Sequence, residues 1–237
     1  MALRDAGMVA SLHRMDERHL AQAAAALWDG GFRAVELSYF AVRGNRWLIP
    51  TLKEMDLLVG IGSITRSSQV REPDTIGADF IATPVIAPDV VVACEEADVS
   101  CILGGLSPTE IWHAHEMRPD FVKVTDPEAL GGPHYAGSLR ESLPTLHLVS
   151  GNMPLHGSVS YLDVGVELLE FGDALLHPQP TLRHEWVDLS RRASEIAAAF
   201  ESWKARRGQD IEVKANTAQV DDLGQPRWVP GDYFHPR

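Results

Sequence analysis

The segment DFVKVTDPEALGG (Asp120–Gly132) sets a single lysine, Lys123, inside an apolar run, Phe121-Val122-Lys123-Val124, that reads as a buried strand. Burying a lone ammonium is costly, so such a lysine is either paired or neutral and in use. Upstream, SPTEIWHAHEM opens as a helix, with Ser107 as N-cap, Pro108 at the first helical position and Glu110 at the capping-box position. Downstream, LHLVS (146–150) reads as the next strand. Helix and strand thus alternate around Lys123.

The same alternation extends in both directions. MVASL (8–12), RAVELSY (33–39), DLLVGIGS (56–63), DFIAT (79–83), SCILGG (100–105), FVKVT (121–125), LHLVS (146–150) and ELLEFG (167–172) are short apolar runs suited to strands. Between them lie helical stretches such as the Ala-rich DERHLAQAAAALWDGG, capped by Asp16 and stopped at Gly30-Gly31. Another, APDVVVACEEA, has Pro88 near its start, and a long helix spans about 184–207. Alternating strand and helix imply a parallel sheet, and eight such units imply a closed (β/α)8 TIM barrel in a single domain over 1–207. A chain of 237 residues fits, since such barrels use roughly 200–250 residues as one domain. Residues 208–237 are polar and rich in Pro and Gly, and read as a C-terminal tail packed on the barrel or on a neighbouring subunit, with Trp228, Tyr233 and Phe234 as its packing residues.

Apolar residues make up 45% of the chain and charged residues 23%, ordinary for a globular protein. The formal charge of −12 argues against nucleic acid and against anionic membranes, because phosphate neutralisation needs a basic surface. No apolar run is long enough for a membrane span, and no signal peptide is evident. Cys94 and Cys101 read as two buried thiols rather than a disulfide framework, and the cytoplasm is the expected location.

A barrel of this kind places its site at the C-terminal ends of the strands. Glu36 on the second strand and Lys123 on the sixth are the informative pair there. A lysine with its pKa lowered by an apolar site attacks a ketone as the neutral amine, and a carboxyl group within reach moves the protons that imine formation needs. The same two residues equally fit a structural ion pair without catalysis.

The ordered segments GGFRAVELSY, VGIGSI, FIATPVIAPDVVVAC, ILGGLSPTEI and FVKVTDPEALGG resemble those of the 2-keto-3-deoxy-6-phosphogluconate (KDPG), KHG and phosphogalactonate aldolase family, from about Gly7 to about Ala205. The resemblance implies a (β/α)8 class I pyruvate aldolase, usually a homotrimer, with Lys123 as the Schiff-base nucleophile and Glu36 as the general acid/base. It places Ser63 and Pro84 near the pyruvate moiety. Departures are expected to reshape the rest of the substrate site. His13 stands where the family often has arginine, and Phe40 where it has Arg or Asn. Thr125-Asp126-Pro127 replaces Phe-Pro-Ala after the lysine. Arg43 and Arg46, just downstream of Phe40, are candidates to reach back to the substrate carboxylate. Ser150, Gly151 and Asn152 after strand seven, with Gly172 and Asp173 after strand eight, stand where the family holds phosphate. A carboxylate at Asp173 is expected to repel that phosphate, since two unit charges about 4 Å apart interact by about 1 kcal/mol in water and about 4 kcal/mol at an effective dielectric of 20. Glu170 would add to the repulsion, and Asp173 capping its own helix is the plainer alternative.

The expected reaction is therefore aldol chemistry between a 2-oxo acid such as pyruvate and an unphosphorylated aldehyde, without metal or other cofactor. Another lyase reaction of the same Lys/Glu pair, such as decarboxylation, dehydration or C–C bond formation, is an alternative. A non-catalytic binding protein on the same fold is another. His113, His115 and Glu110 read as a solvated helix face rather than a metal site, and His134 and His156 as possible pocket-lining loop residues.

Overall fold

Each of the eight apolar runs is a strand in the computed structural model, which describes residues 2–72, 75–177 and 183–217. The strands are β1 (Met8–Ser11), β2 (Ala34–Ser38), β3 (Leu58–Gly62), β4 (Phe80–Thr83), β5 (Ser100–Gly105), β6 (Phe121–Val124), β7 (Leu148–Ser150) and β8 (Leu168–Phe171). They pair in sequence order, all parallel, and β8 closes back onto β1. The result is the (β/α)8 barrel expected from the alternation.

The chain divides into two compact units, residues 1–197, which hold the barrel, and residues 198–237. The final helix, Arg183–Thr217, extends ten residues beyond the expected end, a stretch whose sequence, ending ANT, carries no Gly or Pro stop after Gly208. Within the second unit Phe200 and Trp203 stack at 6.2 Å. Trp228, Tyr233 and Phe234 lie outside the described residues. No helix among the described residues is long and apolar enough to cross a membrane.

The barrel interior is filled by alternate strand residues, because successive side chains point to opposite faces. Val9, Ala34, Phe80, Ile102, Phe121, Val149 and Leu168 form one buried cluster, with Leu3 of the N-terminal helix Ala2–Ala6 among its members. Burying each large member contributes about 1.5–3 kcal/mol. Gly60 makes this filling possible: a Cβ there would lie 2.0 Å from the Phe80 ring.

Local signals act as their chemistry dictates. Asp16 accepts a hydrogen bond from the Arg18 N–H and opens the 3-10 turn Glu17–His19 that leads into the helix Leu20–Asp29. Ser107 and Glu110 form the reciprocal capping box of the helix Pro108–Glu116. Gly30 ends the Ala-rich helix and has a second duty, since a Cβ there would lie 2.4 Å from that of Ala193 in the final helix. Cys94 and Cys101 are both buried free thiols.

Candidate active site

Three strands carry a charged residue two positions beyond an interior apolar one. Glu36 follows Ala34, Lys123 follows Phe121 and Glu170 follows Leu168. The period-two alternation therefore aims all three into the barrel, one step nearer its C-terminal mouth than the apolar layer. Glu36 is 1% exposed, Lys123 6% and Glu170 8%.

The three groups meet. Lys123 Nζ donates a hydrogen bond to Glu170 Oε2 at 2.7 Å and stands 3.6 Å from Glu36 Oε2. His13, just past β1, brings Nε2 to 2.8 Å from Glu36 Oε1. The His13–Glu36 and Lys123–Glu36 approaches are close but lack hydrogen-bond alignment, so both buried Glu36 oxygens face the site without a well-formed hydrogen bond. Gly62 clears the space for this arrangement: a Cβ at 62 would lie 2.2 Å from Glu36 Oε1 and 2.4 Å from His13 Nε2.

Charge follows from this geometry. Burial pulls the Lys123 pKa down, but the facing carboxylates of Glu170 and Glu36 outweigh it and hold the ammonium above its ordinary value. This corrects the expectation of a lysine depressed by an apolar site; the paired alternative describes the resting state. Burial pushes Glu36 up, yet Lys123 and His13 together bring it below the usual carboxylate range. Glu170 moves the other way, raised by burial and by the charge of Glu36 against the attraction of Lys123. One ammonium faces two buried carboxylates, so Glu36, with His13 behind it, stays ionised and Glu170 is the more readily protonated. Burial lowers His13, but its contact with Glu36 more than offsets that and raises it.

The other expected site residues are distributed around the mouth. Ser63, directly after β3, holds a left-handed backbone at φ 61°, a costly conformation of the kind that collects at functional sites. Pro84 follows β4, and Gly104 accommodates it, since a Cβ at 104 would lie 2.8 Å from the Pro84 carbonyl carbon. Thr125 is exposed at the end of β6, and Gly151 lets the two loops approach, with room of only 3.0 Å between a Cβ there and the Thr125 carbonyl oxygen. Asn152 is exposed and left-handed at φ 53°, and its Oδ1 lies near Gly172. Phe40 is 67% exposed and packs edge-on against Tyr39 at 5.5 Å. Arg43 lies over the Tyr39 ring at 5.9 Å.

Two expectations are corrected. Ser150 follows interior-facing Val149, so alternation turns it to the outer face of β7, where its hydroxyl is buried away from Lys123. Asp173 is the first residue of the short helix Asp173–Leu176, whose N-cap is Gly172, and its carboxylate accepts a hydrogen bond from Arg14 Nη1 at 2.6 Å. It neither caps its helix nor stands as an uncompensated negative charge. Arg14, Asp173, Leu176 and His177 line a cavity of about 490 Å³. His134 and His156 are exposed, His113 lies 3.4 Å from Glu116, and His115 meets the Thr145 hydroxyl. No group of three or more His, Cys, Asp or Glu among the described residues is arranged to hold a metal ion.

The sequence reading gave Glu170 only as an added repulsion to phosphate, and it did not single out Arg14. Glu170 was legible as a glutamate inside the apolar run LLEF, the signal that marked Lys123, but its partner lies two strands away around the barrel. Arg14 comes from the first strand's loop, which neighbours the eighth only because the barrel closes.

Known proteins share both sequence and fold. The chain is 29% identical over 141 residues to a 2-dehydro-3-deoxy-phosphogluconate aldolase of Treponema pallidum, covering 59% of this chain and 67% of that one. It is 23% identical over 177 residues to that of Pseudomonas aeruginosa, covering 74% and 80%. Among solved structures, a native KDPGal structure superposes with a TM-score of 0.73 at 20% identity, over 84% of this chain and 96% of that one. The KDPG aldolase of Legionella pneumophila, with pyruvate captured as a covalent carbinolamine intermediate, superposes with a TM-score of 0.71 at 20% identity, over 82% and 96%. A family model described as KDPG and KHG aldolase matches residues 1–189, and the chain belongs to this family of carbon–carbon lyases.

Proposed function

We propose that this protein is a class I aldolase that forms an imine between Lys123 and a 2-oxo acid such as pyruvate, with an unphosphorylated aldehyde as the other partner. The observation that carries the reading is Lys123 Nζ, buried at the barrel mouth 3.6 Å from a buried Glu36 carboxylate. The likeness to an aldolase holding pyruvate as a carbinolamine supports it.

In this reading the neutral Lys123 amine attacks the ketone carbon and Glu36 moves protons to and from the carbonyl oxygen. Loss of that oxygen as water leaves an iminium, which draws electrons from the adjacent carbon. Glu36 takes the proton of the hydroxyl on the next carbon as the bond beyond the adjacent carbon breaks, which releases the aldehyde and leaves an enamine. The enamine carbon takes that proton back, and water hydrolyses the resulting iminium to the free 2-oxo acid and the Lys123 amine. His13, against Glu36, steadies the ionised carboxylate between proton transfers. Ser63 and Pro84 border the pyruvate end.

The acceptor end is set by the loops after β1, β7 and β8. The Arg14–Asp173 pair supports an uncharged acceptor, because a phosphate arriving there has to displace Asp173 from Arg14. A homotrimeric state, carried by family resemblance, completes the proposal, together with a cytoplasmic location and a packed tail over residues 208–237 read from its polar, Pro- and Gly-rich composition.

The test is aldol addition of pyruvate to a matched set of aldehydes, with and without a terminal phosphate, using Lys123→Ala as control. Turnover of the unphosphorylated set, abolished in the variant, is expected. A preference for the phosphorylated set would overturn the acceptor assignment, and turnover by Lys123→Ala would overturn the role of the lysine.

A further inference from the structure

Among the described residues, Glu170 is the one buried charge at the barrel mouth that the aldolase reading leaves unused. It makes the closest contact to the nucleophile, a 2.7 Å hydrogen bond against the 3.6 Å approach of Glu36. The charged groups facing it are Lys123 from β6, Glu36 from β2 and His13 from the end of β1. Its paired neighbour on β1 is Val9, and the interior position of β7 is Val149, both apolar. Resting Lys123 is an ammonium and has to lose a proton before it attacks. The group that receives this proton must touch Nζ, be an anion, and hold a proton more readily than an exposed carboxylate does. Glu170 meets all three conditions: it accepts the Nζ hydrogen bond, and burial and the facing Glu36 charge raise its proton affinity.

Resting on the Schiff-base reading, we propose that Glu170 takes the proton from the Lys123 ammonium, so that two carboxylates divide the work: Glu170 frees the nucleophile and later returns that proton to the departing hydroxyl, while Glu36 carries a proton from the nitrogen to the carbonyl oxygen. The step balances. Proton transfer gives Lys123–NH2 and a neutral Glu170. The nitrogen lone pair forms the bond to the carbonyl carbon, and the C=O π pair moves to oxygen, giving N⁺H2–C–O⁻. Glu36 takes one N–H proton and delivers it to the alkoxide, giving a neutral carbinolamine. The hydroxyl then departs as water with the proton held on Glu170, and the nitrogen lone pair closes the C=N bond. The ammonium–carboxylate pair of the resting site thus becomes an iminium–carboxylate pair in the same place, with no net change of charge.

The test is the rate of borohydride trapping of pyruvate on Lys123, followed by mass from pH 5 to 10, in the wild type, Glu170→Gln and Glu170→Asp. A proton acceptor predicts that Glu170→Gln slows trapping at neutral pH by about 10²–10⁴-fold. The deficit shrinks as pH rises, because hydroxide then takes the proton, and Glu170→Asp recovers part of the rate. A mere counter-ion predicts the reverse: removing a negative charge destabilises the ammonium, so Glu170→Gln traps as fast as wild type or faster, with its profile moved to lower pH. That result, or equal rates in the Asp and Gln variants, would overturn the proposal while leaving the Schiff-base reading intact. A wild type that traps no 2-oxo acid would bring down both.

Discussion

Gly62 has no side chain because Glu36 and His13 occupy the place one would fill: a Cβ at 62 would lie 2.2 Å from Glu36 Oε1 and 2.4 Å from His13 Nε2. Gly62→Ala therefore strikes the proton-moving carboxylate directly. Overpacking of this kind costs about 1–3 kcal/mol, and a 1 Å displacement of a reacting group costs about 10²-fold in rate. The variant should lose at least that factor in kcat while still melting cooperatively. Kinetics beside a thermal melt checks it, and a fully active Gly62→Ala would contradict the placement of Glu36.

Lys123 neutralises two buried carboxylates, so removing it has a stability cost as well as a catalytic one. Lys123→Met keeps the bulk and leaves Glu36 and Glu170 facing each other, and breaking a buried pair of this kind costs about 3–5 kcal/mol. Without the ammonium both carboxyls are raised by burial. Raised carboxyls oppose folding when ionised, so the deficit is largest at neutral pH and shrinks as pH falls and both take up protons. Denaturant melts at pH 5 and pH 8 should show this convergence.

Glu170→Gln should behave differently. Its folded-state pKa is raised, so ionised Glu170 disfavours folding at neutral pH, and Glu36 remains to pair Lys123. The variant should melt at or above the wild-type temperature at pH 7 while losing activity. A loss of several kcal/mol would mark Glu170 as a structural ion-pair partner.

His13 contributes with the opposite sign. Its folded pKa is raised, so the stability it adds is fully present below its unfolded value, about 6.5, and is lost as pH rises through the higher folded value. His13→Gln should flatten the fall in stability above about pH 6.5, by about 1 kcal/mol, because the His13 ring is partly exposed although Glu36 is buried. Urea midpoints measured from pH 5.5 to 9 test it.

Asp173 tests the acceptor end. Asp173→Asn removes a negative charge from the acceptor end, so a phosphorylated aldehyde should gain about tenfold in kcat/KM, the scale of one like-charge contact about 4 Å away, with little change for an unphosphorylated one. Stability should stay within about 0.5 kcal/mol, because the pair is exposed.

The sequence carried the barrel because its signals are local. A β-branched run, a capping box at Ser107 and Glu110 and a Gly-Gly stop at Gly30 each act within a few residues. Lys123 and Glu36 were legible for the same reason, as charges inside apolar runs. The charge state of Lys123 was not, because it depends on Glu170, brought against it by barrel closure across 47 residues of chain. Arg14 and Asp173, 159 residues apart, escaped in the same way. Ser150 and Gly151 show a finer limit: shifting the reading by one residue along a strand exchanges the inner and outer faces.

The central claim, that Lys123 is a nucleophile, is tested most directly by incubating the protein with pyruvate and a panel of other 2-oxo acids, reducing with borohydride and locating the added mass by peptide mapping. The account predicts a stable adduct on Lys123 with at least one acid and none in Lys123→Ala. A folded wild-type protein that gains no mass from any of them, or gains it on another lysine, would contradict it.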